Sequence, residues 1–285
     1  MFAEHSTVFR RAVAGRSLLI VRTQGRRSGV DLLRPSTILA AMIQSLYLGR
    51  VAYSEGLRLQ EEMVALRQAG RIHNLLLLLE HPPVLTLGRN ANRANILASD
   101  EVLANRGVTI HEINRGGDVT YHGPGQLVGY PIFDLRRFTP RLGAVEFVRR
   151  MEEALIRACG DFGVMTTRIP GRTGVWSLAG GGILEKKLCA IGIHIARGIT
   201  SHGFALNVDP DLRDFELIVP CGIADRAVTS LEREADSPPA MEAVRNAAAR
   251  HFGRVFEGQV LWVESISDLL PDAEAAQTPA AAADL

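Results

Sequence analysis

The sequence predicts a mixed α/β fold in a single domain, and three observations carry that expectation. Continuous apolar runs, Leu75 to Leu79 and LVGYPIF from Leu127, read as strands buried in a sheet. Helical spacing recurs at Leu59, Met63 and Leu66, and again at Val148, Met151, Leu155 and Ala158. Strands and helices follow one another without strict alternation or internal repeat, which places one mixed domain over residues 42–268. Composition agrees: of 285 residues 47% are hydrophobic and 22% charged, ordinary for a soluble globular chain with a substantial core. The net charge of +1 argues against a general nucleic-acid binder. No apolar run approaches the roughly 18 residues of a membrane span.

Residues 1–41 differ from the rest. Arg10, Arg11, Arg16, Arg22, Arg26, Arg27 and Arg34 stand against only Glu4 and Asp31, with no steady period. The segment reads as a basic leader, either a transit peptide or sequence upstream of a true start at Met42, and is expected to be disordered. Organised structure is expected from Tyr47, as an amphipathic helix that Gly70 ends. The leucine strand follows and runs into His81, Pro82 and Pro83, where a solvent-facing or hydrogen-bonded histidine is expected. A polar helical stretch spans 99–105, and GVTIHEIN forms a strand leading into the richest segment of the chain.

That segment, RGGDVTYHGPGQ from Arg115, reads as a loop built around a ligand. Gly116, Gly117, Gly123 and Gly125 allow close backbone approach, and Arg115, Tyr121, His122 and Gln126 supply polar groups. A plain turn around Gly-Pro-Gly is the bland alternative. Beyond it comes a helix over 144–163, with Arg149, Arg150, Glu152 and Glu153 on its polar face and Cys159 as a small buried hydrophobe. Short strands over 163–169 and 172–178 meet at Pro170-Gly171, and Gly180-Gly181-Gly182 makes another turn.

In the strand EKKLCAIGIHIARG, alternation puts Lys187 on one face with Cys189, Ile191, Ile193 and Ile195. Burial in that row would favour the neutral amine, a base; snorkelling at the strand end is the alternative. SHGFALNV is a further strand, and FELIVP leads into Cys221, held between Pro220 and Gly222. Cys221 is either an inert thiol or a nucleophile, for which Lys187, His122 or His202 could act as base. Three widely spaced cysteines, Cys159, Cys189 and Cys221, suit reduced thiols in a cytoplasmic setting, and no CxxC pair offers a zinc site. A helix over 241–256, the strand QVLWV and an alanine-rich tail over 269–285, expected to be disordered, close the chain.

Together HPPVLTLGR, RGGDVTYHGPGQLVGYPIFDL, GRTGVW, KLCAIGIHIARGITSHGFALNV, PCGI and VTSL resemble the octanoyltransferases of lipoate biosynthesis, in the right order over about residues 48–231. The resemblance implies the catalytic fold shared by lipoate- and biotin-protein ligases, and no metal or cofactor. It implies transfer of an octanoyl group from octanoyl-acyl carrier protein to a lysine of lipoyl domains, in two-oxoacid dehydrogenase E2 subunits or the glycine cleavage H protein. On the matching motifs Cys221 falls as the nucleophile and Lys187 as its partner. Arg115, Gly116, Gly117, Asp118, Val119, Thr120, Tyr121 and His122 would line the acyl and acceptor site, with Ala190, Ile191 and Gly192 and with Gly203, Phe204 and Ala205. Tyr121 and His122 would orient the thioester or the amine, and Asn207 would be a structural hydrogen-bond partner. An ATP-dependent lipoate or biotin ligase is the rival reading; it would have no need of Cys221.

Overall fold

The computed structural model describes residues 42–178, 185–220 and 227–270. The basic leader, the Gly180-Gly181-Gly182 turn, Cys221 and the tail beyond 270 lie outside the described residues. Organised structure begins before the expected helix. Residues Met42–Arg50 form a strand, β1, whose polar Gln44 and Ser45 are buried and mask its apolar alternation. Gln44 is satisfied there, since its Nε2 donates to the Leu269 carbonyl at 3.1 Å and its Oε1 accepts from the His73 amide at 3.1 Å. Leu269 is itself buried, so the packed structure continues past the expected boundary at Asp268.

Helix α1 (Tyr53–Gln68) precedes β2 (Asn74–Glu80), β3 (Val84–Leu87), α2 (Asp100–Asn105), β4 (Thr109–Glu112), β5 (Val119–His122) and β6 (Gln126–Ile132). After α3 (Ala144–Gly160) come β7 (Thr166–Ile169), β8 (Arg172–Ser177), β9 (Lys187–Ala196) and β10 (Ile199–Asn207), then α4 (Met241–Val255) and β11 (Gln259–Trp262). Eight strands form one sheet in the order β11-β1-β2-β6-β10-β9-β8-β7, and β4-β3-β5 form a second, smaller one.

The leucine run of β2 is buried on both faces, as its continuous hydrophobicity predicts. Leu76 and Leu78 face α3 and α4 across a core that holds Leu127, Phe133, Phe204 and Leu206. Leu75, Leu77 and Leu79 face the other way, with Val128, Tyr130 and Ala205, toward Met63 of α1. Phe133 anchors the first core, with ring contacts to Phe138, Phe147, Phe252 and Phe256.

Two expectations are corrected here. Glu152 does not share the solvent side of α3: it is 1% exposed, its carboxylate accepting from the Gly174 amide at 3.0 Å and from Arg149 at 2.9 Å. The Arg115 segment is not one loop either. Val119–His122 pairs antiparallel with β3, because VTYH alternates well enough to extend the small sheet and close it over the large one.

Candidate active site

A cavity of about 440 Å³ opens between the α1 side of the large sheet and the small sheet. Its floor is the β9–β10 ladder, where Ala190 pairs with Ala205 and Gly192 with Gly203. The glycines are sterically required. A Cβ on Gly192 would stand 2.8 Å from the Gly116 carbonyl oxygen, and one on Gly203 would overlap the Gly129 carbonyl.

Lys187 lies at the start of β9 and is 7% exposed, yet the structure puts it on the face opposite to the expected one. The β8–β9 register slips by one residue, from Val175 opposite Cys189 to Trp176 opposite Lys187. This bulge sends both Leu188 and Cys189 into the α3–α4 core and turns Lys187 over to line the cavity with Ala190. Its Nζ sits 4.8 Å from the centre of the Trp176 ring. Around it, the Lys187 amide donates to the Ala227 carbonyl and its carbonyl accepts from the Thr229 amide, both at 2.9 Å. Lys187 also shares a small crevice with Pro220, Asn207 and Val228.

Strand alternation divides the Arg115 segment. Thr120 and His122 point into the cavity, with Arg115, Gly117 and Asp118 from the preceding turn. Val119 and Tyr121 point away into a separate core; the Tyr121 hydroxyl donates to Asp214 at 2.6 Å and its ring packs on Phe215. Tyr121 therefore does not orient a ligand in this cavity, in contrast to the expectation. Gly116 does not line it either; its amide donates to the Ile193 carbonyl at 3.0 Å and ties the turn to β9. Ile191 and Phe204 complete the expected set at the cavity wall.

Arg115 is held across the cavity by Thr86, its Nη2 donating to the carbonyl at 2.7 Å and to the hydroxyl at 2.9 Å. His122 donates from Nδ1 to Gln126 Oε1 at 2.7 Å, Gln126 donates to Asn207 Oδ1 at 2.9 Å, and Asn207 donates to the Thr229 carbonyl at 2.8 Å. The chain thus runs from a cavity imidazole to the residue paired with the Lys187 backbone, and Asn207 is a structural partner as expected.

Burial and neighbouring basic groups, Arg115 among them, push His122 down to about 3 and His202 to about 4, so both are neutral imidazoles at neutral pH. His81 is fully buried and hydrogen-bonded, donating to the Val51 carbonyl at 2.6 Å and accepting from the Tyr130 hydroxyl at 2.7 Å; burial lowers it to about 4.

Sequence reasoning missed Tyr53, Val128, Tyr130, Arg172 and Thr173, which also line the cavity. Alternation through β6 from Val128 carries the signal for Tyr130. Nothing local marks Tyr53, which reaches the site from the first turn of α1 and stacks 6.2 Å from His122. The walls offer a lysine, two neutral imidazoles and a narrow apolar floor. Such a site can hold a linear apolar chain and move a proton at its head.

Residues 52–253 match the family described as the lipoyl protein ligase A/B catalytic domain. The chain is 68% identical over 238 residues to an octanoyltransferase of Acidobacterium capsulatum, covering 81% of this chain and 97% of that one. It is 56% identical to an octanoyltransferase of Koribacter versatilis, covering 82% and 92%. Among solved structures, a lipoate-protein ligase A bound with ATP superposes with a TM-score of 0.60 at 18% identity, covering 79% of this chain and 89% of that one. A bipartite lipoate protein ligase from Thermoplasma acidophilum, studied with its E2 lipoyl domain, gives 0.59 at 18% identity, covering 79% and 87%. At that identity the likeness is one of fold.

Proposed function

Since this chain belongs to the lipoyl protein ligase A/B catalytic family and is an octanoyltransferase within it, we propose that it carries the octanoyl group on Cys221 as a thioester. The donor in this reading is octanoyl-acyl carrier protein. The acceptor is a lysine of a lipoyl domain, in two-oxoacid dehydrogenase E2 subunits or the glycine cleavage H protein. One observation carries the proposal: the bulge turns Lys187 into the head of the cavity, in a crevice shared with Pro220, the residue before Cys221.

In the first half-reaction the Lys187 amine takes the Cys221 proton and the thiolate attacks the thioester carbonyl. The tetrahedral intermediate collapses, expelling the carrier thiolate, which takes the proton from Lys187. In the second, Lys187 removes a proton from the incoming amine, the amine attacks the acyl-enzyme, and Cys221 leaves as thiolate and takes that proton back from Lys187, which restores the starting thiol and amine. The backbone amides near Gly222 or those of the Arg115 turn are the candidate donors to the oxyanion. His122 and His202, neutral and hydrogen-bonded, shape the wall.

Arg136, Arg137, Arg149 and Arg150 lie close in sequence to the Arg115 segment and are candidates for docking the acidic carrier protein, although each is paired with a carboxylate. Arg136 and Arg137 share the single carboxylate of Asp134, and Glu152 and Glu146 pair with Arg149 and Arg150.

Intact-mass measurement after mixing with octanoyl-acyl carrier protein tests the proposal. Wild type gains one octanoyl group that hydroxylamine removes; Cys221→Ser gains none, and Lys187→Ala gains it at a rate lower by at least about 10²-fold. Acylation of the lipoyl domain that needs ATP and free octanoate, with no enzyme adduct, would instead establish the ligase reaction.

A further inference from the structure

The small-residue floor does not end where the main cavity ends. Along the uninterrupted β9–β10 ladder, the face that shows Ala190, Gly192, Gly203 and Ala205 continues through His194 opposite Ser201 and Ala196 opposite Ile199. These last four line a second cavity of about 210 Å³, roofed by Leu57, Gln60 and Val64 of α1. At about 3.3 Å per strand residue, the two cavities follow one line for roughly 20 Å from Ala190 to Ala196.

His202 stands between them and lines both. Regular alternation would send its side chain to the opposite face, with Phe204. Its φ of 54° instead turns it onto the cavity side, a conformation that non-glycine residues adopt at a cost. Two contacts hold it there: its amide donates to Gln60 Oε1 and its Nε2 to Asn114 Oδ1, both at 2.7 Å.

The compartments differ in character. On the Lys187 side the floor is alanine and glycine. Beyond His202, Gln60 Nε2 and His194 Nδ1 are buried without a hydrogen-bond partner among the described residues, as is Nδ1 of His202 at the boundary, polar atoms that an alkyl chain cannot satisfy.

We propose that His202 is the residue that fixes acyl-chain length, closing the apolar trough and walling it off from a second, collinear compartment. This rests on the reading that the acyl chain lies along the β9–β10 floor with its carbonyl near Lys187. A medium-length chain ends against the His202 ring. A longer one is stopped by it, although Leu57, Val64, Ala196 and Ile199 provide apolar wall behind it.

The test compares kcat/KM for dodecanoyl- and octanoyl-acyl carrier protein in wild type, His202→Gly and His202→Asn. Both replacements tolerate a positive φ, so the backbone is kept. The dodecanoyl-to-octanoyl ratio should rise about tenfold or more in His202→Gly, the scale of one or two methylenes in an apolar pocket, and less in His202→Asn. Adding Val64→Phe to His202→Gly fills the second compartment and should return the ratio to that of wild type. An unchanged ratio in both His202 variants, with rates falling equally for the two chains, overturns the gate and leaves the transferase reading standing. Wild type that transfers neither acyl group from the carrier protein overturns both.

Discussion

Three histidines, His81, His122 and His202, are buried as neutral rings whose folded pKa values fall near 4, 3 and 4. In the unfolded chain each titrates near 6.5, so below that pH the unfolded state binds protons that the native state refuses. Stability is therefore full above about pH 6.5 and is lost as pH falls toward 4, by about 1.4 kcal/mol per pH unit for each ring. Urea midpoints measured from pH 7.5 to pH 5 should show that decline; a flat profile would mean that the rings are protonated in place. Asn207→Ala tests the hydrogen-bond chain. It strips partners from Gln126 and the Thr229 carbonyl and should cost about 1–3 kcal/mol in denaturant unfolding. At this scale the sequence was informative about residue types and silent about direction. Glycines, His122 and Lys187 could be singled out from composition and spacing, but Tyr121 could be turned away only by the alternation of a strand hidden inside a glycine-rich stretch.

The elements were legible where burial was uniform and obscured where a polar group was satisfied out of sight. The five leucines of β2 and the apolar face of α3 announced themselves. β1 did not, because Gln44 finds its partners in Leu269 and His73, far away in the chain. The bulge at the start of β9 was equally invisible. It depends on β8, where Gly174, at φ 126°, packs so closely against Cys189 that an added Cβ would stand 2.5 Å from its carbonyl oxygen. Glu152 holds that glycine's amide from below. Glu152→Leu should therefore lower stability by about 2 kcal/mol or more and reduce transfer beyond what partial unfolding explains, since β8 fixes the turn of Lys187. Activity per folded molecule equal to that of wild type would separate the bulge from this support.

Across the whole molecule, the two cores on either face of the sheet have separate duties. Among the described residues the α3–α4 side is packed with aromatic rings and shares only Ile191 and Phe204 with the main cavity; the α1 side carries the site. Phe133→Ala should accordingly cost about 3–5 kcal/mol in thermal or denaturant unfolding while leaving the acyl-chain preference of the folded fraction unchanged. A shift in preference would show that the aromatic core reaches through the sheet to the site.

The sheet also records the order in which the chain can assemble. β1 and β11 lie side by side, Met42 opposite Gln259, although they stand at opposite ends of the described sequence. Of the described strands β1 is made first and β11 last, so β1 waits for all the others before its outer neighbour exists. Until then it has β2 on one side and an open row of amides and carbonyls on the other, the kind of edge that recruits strands from other molecules. Among the described strands β11 is the last to be made, and its arrival passes the open edge of the sheet from a strand of nine residues to one of four.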